Sequence, residues 1–459
     1  MPRHQGQNWR VRARTNKRRQ KKILSSVKAR RNVQQGLMAP PTTLILGGGI
    51  IGSSVAYHLS LRGAPSTVVE QQPRVATTAS GKAAGFLAGG WGDGRVTERL
   101  HRSSFDMHEE LAATLKLRSY RKLPTLKVEP NAAAPSQPSS RIVSWLDGDC
   151  VAQPLDDSTA QVDPHELCEA MMREAQQCGL CELRAGQQVV GIDTVDDDEG
   201  GRIATSVRLA SGDAIACDQL VVALGPWSCL VESWLGVPMP VEGVWSTSLV
   251  YEAEDGSEDG AASATSTNTS PAAAASAAAA SAVSSEPAAL FVESDTRGCH
   301  LEVYPRASGE VYVAGCGESR LVAPETLRAG ELPPSATNEP DLSRAAAAER
   351  SLAALSSAFV GRKSSRQQAC VRPCAPDGLP IIGVIPGVAN VHVATGHNAW
   401  GILWAPATGR AMAEVLLDGE AASLNLRAFA PRRFDTLTYR TLLKQRGRQK
   451  AGEKLGEQW

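Results

Sequence analysis

Gly47-Gly48-Gly49-Ile50-Ile51-Gly52 stands between a short apolar run, Thr43 to Leu46, and a helical pattern from Ile50 to Leu61 that stops at Gly63. Thr67 to Glu70 follows as a second apolar run. Strand, glycine turn, helix and strand in that order make a compact βαβ unit. In the G-x-G-x-x-G spacing, Gly47 permits the tight turn, Gly49 lets the backbone approach a pyrophosphate, and Gly52 allows close helix-to-strand packing. The unbonded N–H groups at the helix start, Ile50 and Ile51 foremost, meet the anion. Glu70 ends the second strand, where a carboxylate accepts hydrogen bonds from ribose hydroxyls that carry no 2'-phosphate. The unit therefore predicts a dinucleotide-binding α/β domain of Rossmann type.

Downstream, Thr97 to Lys116 predicts a helix with Leu100, Met107, Leu111 and Leu115 on one face. Asp163-Pro164 opens another, Asp as N-cap and Pro at the first helical position, with Leu167, Met171 and Ala175 inward. Gln188 to Ile192 and Ile203 to Leu209 read as antiparallel strands, and Gln219 to Leu224 as a buried parallel strand ending at Gly225-Pro226. Cys299 to Glu318 alternates in strand fashion and Ala345 to Phe359 reads as a helix. Asn390 to Gly419 returns to strand, glycine turn and helix. Two tracts break the pattern. Residues 130–140 are polar and Pro-rich, and Glu252 to Pro287 is acidic, then Ala/Ser-rich without apolar periodicity, which reads as a disordered insertion.

The 459 residues can bury a full core. No stretch offers the roughly 18 apolar residues of a membrane span, so a soluble chain is expected. A net charge of zero hides an asymmetry: residues 1–36 hold 12 of the 48 Lys and Arg and no acid. That basic leader suits mitochondrial or plastid import, while Asn16 to Lys22 reads equally as a nuclear signal or a disordered arm. Ten cysteines with no secretory signal point to an intracellular, reducing compartment. Cys178 and Cys181 form a lone CxxC, better read as packing than as zinc ligands, and no metal site is expected. The acidic body opposes nucleic-acid binding by the basic arm.

The fingerprint alone does not separate FAD from NAD. Further segments do: Thr78-Ala79-Ser80-Gly81-Lys82-Ala83-Ala84-Gly85, Leu224-Gly225-Pro226-Trp227-Ser228, Arg372-Pro373 before Asp377-Gly378-Leu379-Pro380, and Thr395-Gly396-His397-Asn398-Ala399-Trp400-Gly401 leading into Pro406-Ala407-Thr408-Gly409. In this order they resemble the FAD-dependent family of D-amino-acid oxidase, glycine oxidase and sarcosine oxidase, over roughly residues 42–435. The resemblance implies a Rossmann-type FAD-binding domain joined to a mainly antiparallel-sheet substrate domain. The expected division is a basic leader (1–40), a discontinuous FAD-binding domain (41–125, 150–240 and 370–435), a substrate domain (126–149 and 241–369, with the insertion at 252–288) and a basic tail (436–459).

It also implies extended FAD, with Ser80, Gly81 and Gly85 in one loop and Gly396, Trp400, Gly401 and Ile402 in another lining the isoalloxazine, and Gly225 at the end of the intervening strand. A helix starting near Ile402 to Pro406 would aim its N–H groups at the flavin's pyrimidine edge. His397 is either a flavin neighbour or a turn residue bonded to backbone; Lys82 either stabilises reduced flavin or is a solvated loop charge. Cys370 falls at the spacing of the flavin-linking cysteine of sarcosine oxidases, yet Arg372-Pro373 looks more like glycine oxidase, where the flavin is noncovalent. Arg372 falls where the family's amino-acid oxidases place a carboxylate anchor; the alternative is an arginine paired with Asp377 or capping carbonyls. The expected activity is oxidation of an amine or amino-acid C–N bond, with O2 or another acceptor taking the electrons. The rival readings are an NAD-dependent dehydrogenase and an interaction or trafficking protein stabilised by FAD.

Overall fold

The computed structural model describes residues 41–131, 142–198, 200–253, 271–332 and 339–434. The expected basic leader, the basic tail, nearly all of the Pro-rich 130–140 tract and the acidic part of the later tract lie outside them. Thr43–Leu46 is the hub of a six-stranded sheet ordered 381–384, 391–395, 219–222, 43–46, 66–70, 181–185. Its neighbours on both sides run parallel, with Leu44 opposite Leu220 and Thr67. Leu44, Ile45 and Leu46 are fully buried, which is why the run is continuously apolar rather than alternating. Only Ile381–Val384 runs antiparallel, against Val391–Thr395.

The helices Ile50–Ser60, Pro164–Gln177 and Gly401–Asp418 pack together over one face of this sheet. Asp163 caps the second of them by accepting from the N–H groups of His165 and Glu166, and Leu167, Met171 and Ala175 point inward as the pattern demands. Residues 189–196 and 202–209 pair antiparallel as expected, in a separate three-stranded sheet with 214–216.

The second large sheet has eight strands: Arg320–Val322, Glu242–Tyr251, Val311–Ala314, Glu302–Pro305, Ala289–Val292, Thr125–Pro130 and Cys150–Asp156 in order, with Arg366–Cys374 also paired to Glu242–Tyr251. Residues 150–156 and 370–374, which the sequence division groups with the FAD-binding segments, hydrogen-bond in this sheet. Register fixes what its inner face presents. Arg372 lies opposite Val244, Cys370 opposite Ser246, Tyr312 opposite both Val250 and Tyr304, and Glu302 opposite Ala314 and Phe291. Because side chains alternate along a strand, these positions project from one face, which is turned to the first sheet's strand ends.

One expectation is corrected. Pro271–Ser285, inside the tract read as disordered, is a helix, and Ala279, Ala282 and Val283 are buried in the core under the second sheet with Trp145, Leu352 and Phe359. Alanine is the best helix former, and a partner that accepts a smooth, small-residue face needs no apolar stripe from it.

Candidate active site

A cavity of about 760 Å³ runs between the two sheets, from the carboxyl ends of Thr43–Leu46 and Ser66–Glu70 to the inner face of the eight-stranded sheet. That volume is in the range of ligand and cofactor clefts. Its first stretch is built by the glycine turn. Gly47 has φ +105°, and a Cβ there would stand 2.4 Å from the Ala223 carbonyl oxygen, so both the turn and the neighbouring strand exclude a side chain. A Cβ on Gly52 would meet the Gly47 carbonyl oxygen at 1.9 Å, which is the close helix-to-turn contact its position implies. Gly49, Ile50 and Ile51 line the cavity, and the Ile50 N–H donates to the Ser80 hydroxyl at 3.0 Å.

Glu70 faces the same stretch. Its Oε2 accepts from the Gly48 N–H at 2.6 Å and its Oε1 from the Gln72 N–H at 2.8 Å. Burial pushes its carboxyl up, and these backbone donors pull it back. Gly81 and Gly85 hold the loop that carries Ser80: a Cβ at either would lie 1.8 Å from a carbonyl oxygen, of Ala76 or Val162. Gly85 and Gly225 reach the cavity, whereas Gly52, Gly81 and Gly396 shape the turns behind it.

The opposite stretch is the start of the Gly401–Asp418 helix, where Trp400, Gly401 and Ile402 line the wall. Pro406 lies inside this helix and has no N–H to give to the Ile402 carbonyl. Buried His108, on the Glu98–Leu115 helix, compensates by donating from Nε2 to the Ile402 and Leu403 carbonyls at 3.0 and 3.2 Å. The Ala407 N–H is taken by Ser104 at 3.2 Å. The helix start is thus pinned without sealing its own amides.

His397 is buried and lines the cavity, with Nε2 3.2 Å from the Thr408 hydroxyl, so its side chain is bonded to another side chain rather than to backbone. Desolvation holds its pKa down at about 3, so the ring is neutral. Its Nδ1 and the Asn398 Oδ1 are buried with no partner. Lys82 donates to the Ala369 carbonyl at 2.8 Å, beside Cys370, and burial lowers its pKa. Asp377 is engaged by Arg433 at 2.7 Å. Cys370 lines the cavity as a buried thiol whose pKa burial raises. Arg372 projects into it from the next same-face position and donates from Nη2 to the hydroxyls of Ser246 (3.0 Å) and Ser319 (3.4 Å).

Sequence reading missed the aromatic wall. Trp91, Phe291, Tyr304 and Tyr312 all face the cavity, yet they come from separate segments whose meeting is a matter of tertiary pairing. Only the strand-like alternation over Cys299 to Glu318 was a signal, and it marks a strand face without saying what the face meets.

Residues 42–415 match the family model DAO, FAD dependent oxidoreductase. The chain belongs to the DAO family of FAD-dependent oxidoreductases. It is 24% identical over 418 residues to a Schizosaccharomyces pombe protein named as an oxidoreductase, covering 84% of this chain and 97% of that one. It is 25% identical over 433 residues to glycine oxidase of Bacillus subtilis, covering 84% and 95%. The solved glycine oxidase of Geobacillus kaustophilus shares the fold at a TM-score of 0.63 and 17% identity, over 85% of this chain and 98% of that one. FAD is therefore the dinucleotide, and the NAD reading falls.

The residues present fit this cofactor. Beside Gly49 the backbone is bare except for the Ser80 hydroxyl, 3.1 Å from where a Cβ would lie. The buried Nδ1 of His397 and Oδ1 of Asn398 await a polar partner, and a flavin's pyrimidine edge carries both donors and acceptors. In this DAO-family chain Gly49, Ile50 and Ile51 would hold the pyrophosphate, Glu70 the ribose, and the Gly401 helix start the ring. Among the described residues no group of His, Cys, Asp and Glu is arranged for a metal, and no helix is long and apolar enough to cross a membrane.

Proposed function

We infer that the protein oxidises the C–N bond of an amino acid or a related amine, giving an imine that water hydrolyses. The observation that carries this is Arg372. Its guanidinium lies on the cavity wall and is steered by two serine hydroxyls. A planar guanidinium grips a carboxylate through two parallel hydrogen bonds, fixing its twist as well as its position. FAD bound here supplies the hydride acceptor. The chain supplies orientation: Arg372 holds the carboxylate, while the aromatic wall keeps water from the reacting carbon. A substrate amine must be neutral to release hydride, and the neutral His397 adds no positive charge near it.

The test is anaerobic titration of the FAD-loaded protein with amino acids, amines and hydroxy acids, followed by flavin absorbance. Bleaching by amino acids supports the reading, and oxygen uptake on re-aeration then reports whether O2 is the acceptor. Flavin that stays oxidised with every compound favours a protein in which FAD is structural.

A further inference from the structure

Arg372 does not meet the cavity alone. Its Nη2 donates to the hydroxyls of Ser246 and Ser319, one N–H to each, and the two hydroxyl oxygens lie 2.9 Å apart. Ser246 stands opposite Cys370 on the face that carries Arg372, and both serines line the cavity. A hydroxyl brings one proton and two lone pairs. Whichever serine donates to the other, the second hydroxyl proton has no acceptor among the described residues. Hydrogen bonds in a chain polarise one another, so a hydroxyl that accepts from a guanidinium is a stronger donor than an isolated serine.

The start of one helix holds the pair in place. Leu342–Leu355 is capped by Asp341, whose N–H donates to the Thr247 hydroxyl at 2.9 Å, next to Ser246. Arg344, in its first turn, donates from Nε to the Cys316 carbonyl at 2.8 Å, in the connection that delivers Ser319. Gly317 in that connection has φ +150°, and a Cβ there would lie 2.2 Å from Arg344 Nε, so backbone and guanidinium interlock. The two serines are thus brought together from separate strand segments by a common support.

We propose that the Ser246–Ser319 pair donates its remaining hydroxyl proton to the substrate carboxylate held by Arg372, so that the substrate is a free α-amino acid rather than a simple amine, an amino-acid amide or an ester. This rests on the C–N oxidation inferred above. A carboxylate offers only acceptors, which match the guanidinium and hydroxyl donors at this corner. A carboxamide turns N–H groups toward those donors and leaves one of them buried without an acceptor, and an ester keeps acceptors but lacks the charge.

The test compares alanine, alaninamide and alanine methyl ester, each as both enantiomers, on the FAD-loaded wild type and on Ser246→Ala/Ser319→Ala. The wild type should favour the acid in kcat/KM, and the double variant should cut that preference by about 10-fold or more, the range for a hydrogen bond to a charged group. Ser319→Thr keeps the hydroxyl and should keep most of the preference. Equal wild-type rates on acid and amide, or an equal loss on all three compounds in the double variant, overturns the proposal. An Arg372→Lys background separates contact with the substrate from steering of the guanidinium: removing both hydroxyls there should still weaken use of the acid, and no further loss overturns the direct contact. A second measurement needs no turnover. Calorimetric titration of the oxidised holoprotein with propionate and with propionamide should show tighter binding of propionate, and the double variant should narrow the difference. If no compound bleaches the flavin but the propionate preference is present and narrows in the double variant, the carboxylate site stands and the oxidase reading fails. If amines without a carboxylate bleach the flavin and no propionate preference exists, the oxidase reading stands and the carboxylate site fails.

Discussion

At the scale of single residues, the glycines of the first turn separate fold from cofactor binding. Gly47 and Gly52 are hemmed in by backbone at 2.4 and 1.9 Å, so a side chain at either must move the chain itself. Gly49 faces the cavity, and only the Ser80 hydroxyl stands near it. Gly49→Val should therefore fold, with near-native circular dichroism, and yet lose FAD, read as the 450 to 280 nm absorbance ratio after purification; a folded and fully yellow variant contradicts the pyrophosphate placement. Arg372 offers the corresponding test for substrate. Truncation to Ala should cost on the order of 2 to 5 kcal/mol in kcat/KM on amino acids, and far less on amines without a carboxylate. Arg372→Lys should recover only part of that loss, because a point charge does not set the twist of the carboxylate. Equal, mild losses on both kinds of compound would make Arg372 a structural residue.

At the scale of elements, the Gly401–Asp418 helix depends on another helix for its own start. Pro406 leaves the Ile402 carbonyl without its helical donor, Ser104 takes the Ala407 N–H that faces Leu403, and His108 satisfies both carbonyls from the Glu98–Leu115 helix. His108→Leu fills similar space but strands both carbonyls, which should lower stability by about 1 to 3 kcal/mol. Urea unfolding measures this, and an unchanged midpoint would show that the helix start does not need the histidine. The sequence foretold this helix from its glycine turn, as it foretold the βαβ unit, because both are local patterns in which turn, cap and period coincide. Pro271–Ser285 escaped notice since its packing rests on small alanines, which carry no periodic signal. For the same reason Gly49, Glu70 and Arg372 were legible as site candidates from short motifs, while Glu302, Tyr304, Phe291 and Trp91 were not. Phe291, Glu302 and Tyr304 lie on two consecutive strands, but Trp91 reaches them from a turn some 200 residues earlier, a tertiary contact that no short window contains.

At the scale of the whole molecule, the histidines make stability depend on pH. Burial lowers the pKa of His58, His108 and His392 to about 4 and of His397 to about 3, from an ordinary value of 6.5. They come from three different helices and strands and the turn beside the cavity, so only global unfolding exposes them together. Below pH 6.5 the unfolded chain takes up protons that the folded chain refuses. Stability must then rise with pH between about 4 and 6.5 and level off above, since the state that binds more protons gains as pH falls. At pH 5.5 each histidine costs about 1.4 kcal/mol, one unit below its ordinary value, so four together cost at most about 6 kcal/mol. That is comparable with the whole stability of a typical domain. The carboxylates with lowered pKa, such as Glu166, Asp295 and Glu414, weaken the fold only as pH falls below the ordinary carboxylate range, so the window from 6.5 to about 4.5 belongs to the histidines. Urea midpoints of the FAD-loaded protein at pH 7.5, 6.5 and 5.5 should fall modestly over the first step and about three times as far in free energy over the second, with net proton uptake on unfolding at pH 5.5. A midpoint unchanged down to pH 5 would mean that these rings are already charged, or reached by water, in the folded state. The proposal that a neutral His397 adds no charge beside the reacting amine would then lose its support.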